Sequence, residues 1–77
     1  MKEELEIKNE QRKRIGEQFR RVREEQGWSV GQVAMMADVK DATVEKIEAG
    51  AFNVPLDILT RVADVLDCEM TIMQREV

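Results

Sequence analysis

Between positions 40 and 46 the chain carries Lys40, Asp41, Ala42, Thr43, Glu45 and Lys46. These side chains match the edges of base pairs. Lysine donates to guanine or phosphate, a carboxylate accepts from a cytosine amino group, and the methyls of alanine and threonine meet a thymine methyl. Upstream, Arg12, Lys13, Arg14, Arg20, Arg21 and Arg23 stand between Gln11 and Arg23 against one acid, Glu17. Of these, Arg12, Lys13, Arg14, Arg20 and Arg21 are the candidates for phosphate oxygens, the contacts that position a protein on a duplex. The chemistry is non-covalent: base edges read by one segment, phosphates held by another. The alternative is a pair of solvated helix faces that keep the fold and bind nothing.

Net charge runs against the first reading, at −4. Its distribution softens the objection. From Trp28 onward only Lys40, Lys46, Arg61 and Arg75 oppose nine acids, so the charge is polarised along the chain and local potential outweighs the total. Two of the six base-edge candidates, Asp41 and Glu45, are acidic and are repelled by a duplex unless they accept a hydrogen bond.

Other chemistry has little support. The chain has no histidine and one cysteine, Cys68, hence no metal constellation and no internal disulfide. It shows no glycine-rich phosphate loop and no nucleophile beside a base, so neither an enzyme nor a cofactor is expected. The acidic opening MKEELEIKNE has no apolar signal core, and no apolar run approaches the roughly 20 residues that span a bilayer. A reducing, cytoplasmic setting without membrane contact is the expectation.

The elements that must hold these residues are helices. Residues 1–11 are polar and read as a frayed arm or a helical extension. Ile15, Phe19 and Val22 then recur at helical spacing, and Gly27 stops the first helix. Ser29 opens the second helix, with Gln32 completing a capping box and Trp28 with Val33 forming a hydrophobic staple. This makes Trp28 a core residue and not a base-stacking ring. Val30, Val33, Ala34 and Ala37 form that helix's buried face. Met35 and Met36 cannot both turn inward as well, so at least one is part-exposed, as rim packing or as a protein-contact patch.

A corner at Ala37, Asp38 and Val39 leads to a third helix over about Asp41–Ala49. Its inner face is Val44 and Ile47, its poor cap is Lys40, and Gly50 ends it. AFNV is a loop, and Pro55 suits the first turn of a fourth helix with an apolar stripe of Leu56, Leu59, Val62, Ala63 and Leu66. In the tail, Cys68, Met70 and Ile72 alternate with Glu69, Thr71 and Met73, the period of a strand. A lone strand needs a partner. The same strand of a second subunit makes Cys68, Met70, Thr71, Ile72 and Met73 the dimerisation candidates. A chain of 77 residues lies near the lower limit for a self-sufficient core, which also favours a dimer.

In order, IGEQFRRVREEQGWS, the pair Val33–Ala34, the pair Asp38–Val39, TVEKIEAG and LTRVADVL resemble the Cro and lambda-repressor type (XRE-like) helix-turn-helix family, over roughly Ile15 to Leu66. The resemblance implies an all-α bundle of five short helices, or four and a variable tail. It also implies DNA-binding transcriptional regulation in bacteria or phage, usually by a homodimer. It further implies a polar link between Arg23 and Glu48, where a guanidinium–carboxylate fork would fix two helices at one angle.

The departures fall where DNA would be touched. The family commonly has a phosphate-contacting glutamine where Val30 stands, a small residue where Asp38 stands, and serine or another small polar residue where Lys40 stands.

The expected organisation is therefore a polar N-terminal arm or helix extension over 1–11, a helix-turn-helix domain over 12–67 and a dimerising tail over 68–77. The expected function is a homodimeric regulator of double-stranded DNA. The rival is an antitoxin or adaptor that uses the same fold to meet a toxin or effector protein.

Overall fold

The computed structural model describes residues 2–72, with side-chain surroundings from residue 9 onward. Four helices follow in order: α1 Lys2–Glu25, α2 Val30–Ala37, α3 Asp41–Glu48 and α4 Leu56–Val65. α1 runs unbroken through residue 11, so of the two readings of the first residues the helical extension is the one realised. Its Glu, Lys, Arg and Gln residues are strong helix formers, and 24 residues rising ~1.5 Å each make a rod of ~36 Å.

Sharp helix endings set the corners. Gly27, Asp38, Gly50 and Asp67 all have positive φ, between 57° and 75°. After each, the next amide reaches back across the last turn: Trp28 N–H to Arg23, Val39 N–H to Ala34, Ala51 N–H to Lys46 and Cys68 N–H to Ala63, at 2.9–3.1 Å. These are Schellman closures, which satisfy carbonyls that a helix end otherwise leaves open. Asp38 (φ 57°, ψ 48°) makes the turn between α2 and α3 in the left-handed region that aspartate tolerates.

At α2's start, Ser29 Oγ accepts from the Gln32 amide at 3.1 Å while Gln32 Oε1 accepts from the Ser29 amide at 2.8 Å. Lys40 has no side-chain capping bond.

The core joins Val33, Ala34 and Ala37 of α2, Val44 and Ile47 of α3, and Leu59, Val62, Ala63 and Leu66 of α4. Ile15, Phe19 and Val22 of α1 pack against it together with Trp28. The Trp28 indole N–H donates to Gln26 Oε1 at 3.0 Å, and the Gln26 amide donates to the Leu66 carbonyl at 2.6 Å. That relay ties the corner after α1 to the end of α4.

Several expectations are corrected. Among the described residues there is no fifth helix and no strand: Cys68–Ile72 is irregular, because one chain offers that segment no edge to pair with. Met73 lies outside the described residues. α3 ends at Glu48, with Ala49 as its cap, and Pro55 is the cap of α4 and not a residue of its first turn. Leu56 is exposed despite matching α4's stripe: it is the first residue of the helix, and the buried side begins three residues on, at Leu59. Phe52, in the loop, is buried instead.

Candidate nucleic-acid interface

α3 presents two unlike faces. Val44 and Ile47 are buried, whereas Lys40, Asp41, Ala42, Glu45 and Lys46 are exposed and Thr43 is half-buried. The six base-edge candidates thus fall on one short element, with Thr43 at its margin. Ala49 is exposed as well, seven residues after Ala42 and therefore on the same face. That spacing was the signal for it in the sequence, and the sequence reasoning stopped short of using it.

What aims this face is a close backbone contact with α1. Gly16 is buried, and a Cβ built on it would lie 2.3 Å from the Ile47 carbonyl oxygen and 2.7 Å from that of Glu48. On the other partner, a Cβ on Gly50 would lie 2.6 Å from Lys13 Cα. Each glycine lets the opposing backbone approach where any side chain would hold it off. Neither role was legible in the sequence: Gly16 lies inside a helix, where glycine reads only as a weak point, and Gly50 reads only as a helix end.

A part-buried fork completes the clamp. Arg23 Nε donates to Glu48 Oε2 at 2.6 Å and Arg23 Nη2 donates to Glu48 Oε1 at 2.9 Å. Its Nη1 donates to the Trp28 carbonyl at 2.8 Å, so one guanidinium joins α1, the corner before α2 and the end of α3. The two side chains are only 13% and 10% exposed. The hydrogen bond to Glu48 raises the Arg23 pKa above its ordinary value, against the opposing effect of burial and aided by the charges of Glu48 and Glu24. A raised pKa means that Arg23's contribution is fully present below the ordinary arginine value and is lost only as pH rises through the folded one, so physiological pH leaves it intact. Replacing such a pair by apolar groups is often tolerated; removing one partner leaves a buried charge exposed to its full desolvation cost.

The five phosphate candidates do not gather on one surface. Lys13, Gly16, Arg20 and Arg23 recur at spacings of three and four, and Arg12 precedes Gly16 by four, so these share the side of α1 that meets α3. Arg14 and Arg21 lie on another side, where they line a groove of about 690 Å³ with Ile15, Phe19, Met70 and Ile72. Among the described residues Arg12 makes a long contact to Asn9, at 3.5 Å. Arg20 donates to Glu24 at 2.6 Å in an exposed pair, and this hydrogen bond holds the Glu24 carboxyl below the usual range. The small stabilisation it brings is present above the ordinary carboxylate value and fades as pH falls through the folded one.

The dimerisation candidates Cys68, Met70, Thr71 and Ile72 form the other wall of that groove. Met70 and Ile72 are exposed, Ile72 almost wholly, and Cys68 is half-buried with its thiol 3.5 Å from the Leu66 carbonyl.

Two short helices joined by a left-handed corner, the second clamped with its polar face outward, is a helix-turn-helix. The helix-turn-helix domain family matches residues 14–71. The chain belongs to this family. The family is one of the XRE-like group, the Cro and lambda-repressor type whose residues the sequence resembles. No curated protein and no solved structure matches the chain. The matched span takes in Gly16, the corner at Asp38 and the whole of α3, so the α1–α3 clamp of this helix-turn-helix domain lies inside the family region. Among its described residues no helix is long and apolar enough to cross a membrane.

Proposed function

We propose that this helix-turn-helix domain is a sequence-specific regulator of transcription that inserts α3 into the major groove of double-stranded DNA. The observation that carries the reading is the outward face of α3, Lys40 to Lys46, held at a fixed angle by the Arg23–Glu48 fork and the Gly16 contact. Base-edge contacts come from Lys40, Asp41, Ala42, Thr43, Glu45 and Lys46. Phosphate contacts come from the α3-facing side of α1, namely Arg12, Lys13 and Arg20. Arg14 and Arg21, on the groove side, are left to other partners.

The regulator acts as a homodimer. Its exposed tail from Cys68, with Met70 and Ile72 projecting, is the contact, and two α3 helices then read half-sites about 34 Å apart. Selection of bound sites from random duplexes at two salt concentrations tests the whole reading. A palindromic consensus is expected; no enrichment at low salt refutes it. Removal of residues 68–77 should leave a monomer with weaker DNA binding, and an unchanged mass by light scattering removes the tail from the interface.

A second reading is favoured by one observation. Met35 and Met36 are 74% and 51% exposed on α2, a soft apolar patch of the kind that adapts to protein partners. In that reading the fold serves as an antitoxin or adaptor and binds a toxin or effector protein, with or without DNA. Retention of that partner by the wild-type domain and its loss in a Met35→Lys, Met36→Lys double variant with intact DNA binding would separate the two.

A further inference from the structure

The start of α2 is where a duplex-docked helix-turn-helix domain meets the sugar–phosphate backbone, and free amide groups at a helix N-terminus attract anions. In this chain the capping box engages the amides of Ser29 and Gln32, and Val33 bonds the Ser29 carbonyl. The amides of Val30 and Gly31, at the first two helical positions, have no partner within the helix. α2 carries no acidic residue in its own first turn. The nearest carboxylate shown beside that turn is Asp41 of α3. Its Oδ2 lies 3.6 Å from the position a Cβ would take on Gly31, so the carboxylate rests against the first turn of α2 in the space the glycine leaves open. Asp41 is exposed, and its carboxylate forms no ion pair among the described residues. It also stands in the first turn of α3, so one charge serves the positive ends of two helices.

We propose that Asp41 is a specificity-determining residue that competes with duplex phosphate at the start of α2. This rests on the DNA-binding reading. A duplex that offers only phosphates must approach a carboxylate that lies beside the first turn of α2, so non-specific binding is weakened. A site that presents a cytosine amino group to Asp41 gives the carboxylate a donor and lifts the opposition. Asp41 thereby widens the gap between the right sequence and the rest more than it raises affinity for either.

The test uses the full chain with Asp41→Asn and Asp41→Ala, and Asp64→Asn as a control that changes net charge equally on α4. Binding to a random-sequence duplex and to the selected site is followed by fluorescence anisotropy at low and moderate salt. Both Asp41 variants should bind random duplex about threefold or more tightly at low salt, with a smaller gain at moderate salt, and the ratio of specific to random affinity should fall. Asp64→Asn should change neither by as much. Unchanged or weaker binding of random duplex by the Asp41 variants, or an equal gain from Asp64→Asn, overturns the inference while leaving the DNA reading in place. If neither the wild type nor any variant binds a duplex at low salt, the DNA reading falls and the inference falls with it.

Discussion

Replacing Gly16 by alanine tests how α3 is aimed. On an isolated helix the change would help, by about 1 kcal/mol of helix propensity. In the folded chain the new methyl would sit 2.3 Å from the Ile47 carbonyl oxygen and 2.7 Å from that of Glu48. Both are backbone atoms near the end of a helix, so neither can swing aside as a flexible side chain would. Relief requires α1 and α3 to part by ~1 Å, and overpacking of this kind costs about 1–3 kcal/mol. Parting also stretches the Arg23–Glu48 fork, whose bonds at 2.6 and 2.9 Å have little slack and whose charges are nearly buried. A strained buried charge pair brings the cost to the upper end, about 3 kcal/mol, and the propensity gain offsets about 1 of it. The net loss of about 2 kcal/mol corresponds to a fall in melting temperature of about 8–16 °C for a domain of this size. Urea and thermal unfolding followed by circular dichroism at 222 nm measure it. A melting temperature equal to or above that of the wild type would refute the packing argument, because propensity alone would then have decided the outcome.

Three further outcomes follow from the same geometry. Arg23→Ala should lower stability by about 2–3 kcal/mol by leaving the part-buried Glu48 unpaired, and a double-mutant cycle with Glu48→Ala should show coupling of about 1–3 kcal/mol by urea denaturation; additive losses would mean the fork is not one unit. Asp38→Gly should stabilise the domain by about 0.5–1 kcal/mol, because glycine carries no penalty for φ 57°, and a lower unfolding midpoint would show that the aspartate side chain is needed at the corner. Lys13→Ala should reduce the salt dependence of duplex binding by about one unit of slope, while Arg14→Ala, on the far side of α1, should not; equal effects would mean that the duplex wraps α1.

Helix existence was written locally. Ser29 with Gln32, the left-handed residues Gly27 and Gly50, and the apolar stripes of the last three helices each depend on neighbours within a turn or two. Short-range chemistry of this kind is readable because the interacting groups are fixed by sequence spacing alone. The exposed residues of α3 were legible for the same reason: once Val44 and Ile47 face the core, periodicity sends Ala42, Glu45 and Lys46 outward.

What depends on two distant segments meeting was not written locally. Phe52 has no periodic partner in the sequence, yet it joins the core, while Leu56, on α4's stripe, stays exposed. Which of the five cations of α1 share a face depends on the rotation of that helix, which its apolar stripe fixes only in part; the rotation follows from Gly16 and Lys13 touching the end of α3. Asp41 reads as a poor choice for a surface that must face phosphates; only the position of α2 reveals the acid-free first turn beside it. The sequence by itself determined that the helices form, where their corners fall to within a residue or so, and most of their apolar sides. Tertiary structure alone decided which charges stand beside α3, because the rotation of a helix about its own axis is set by its contacts.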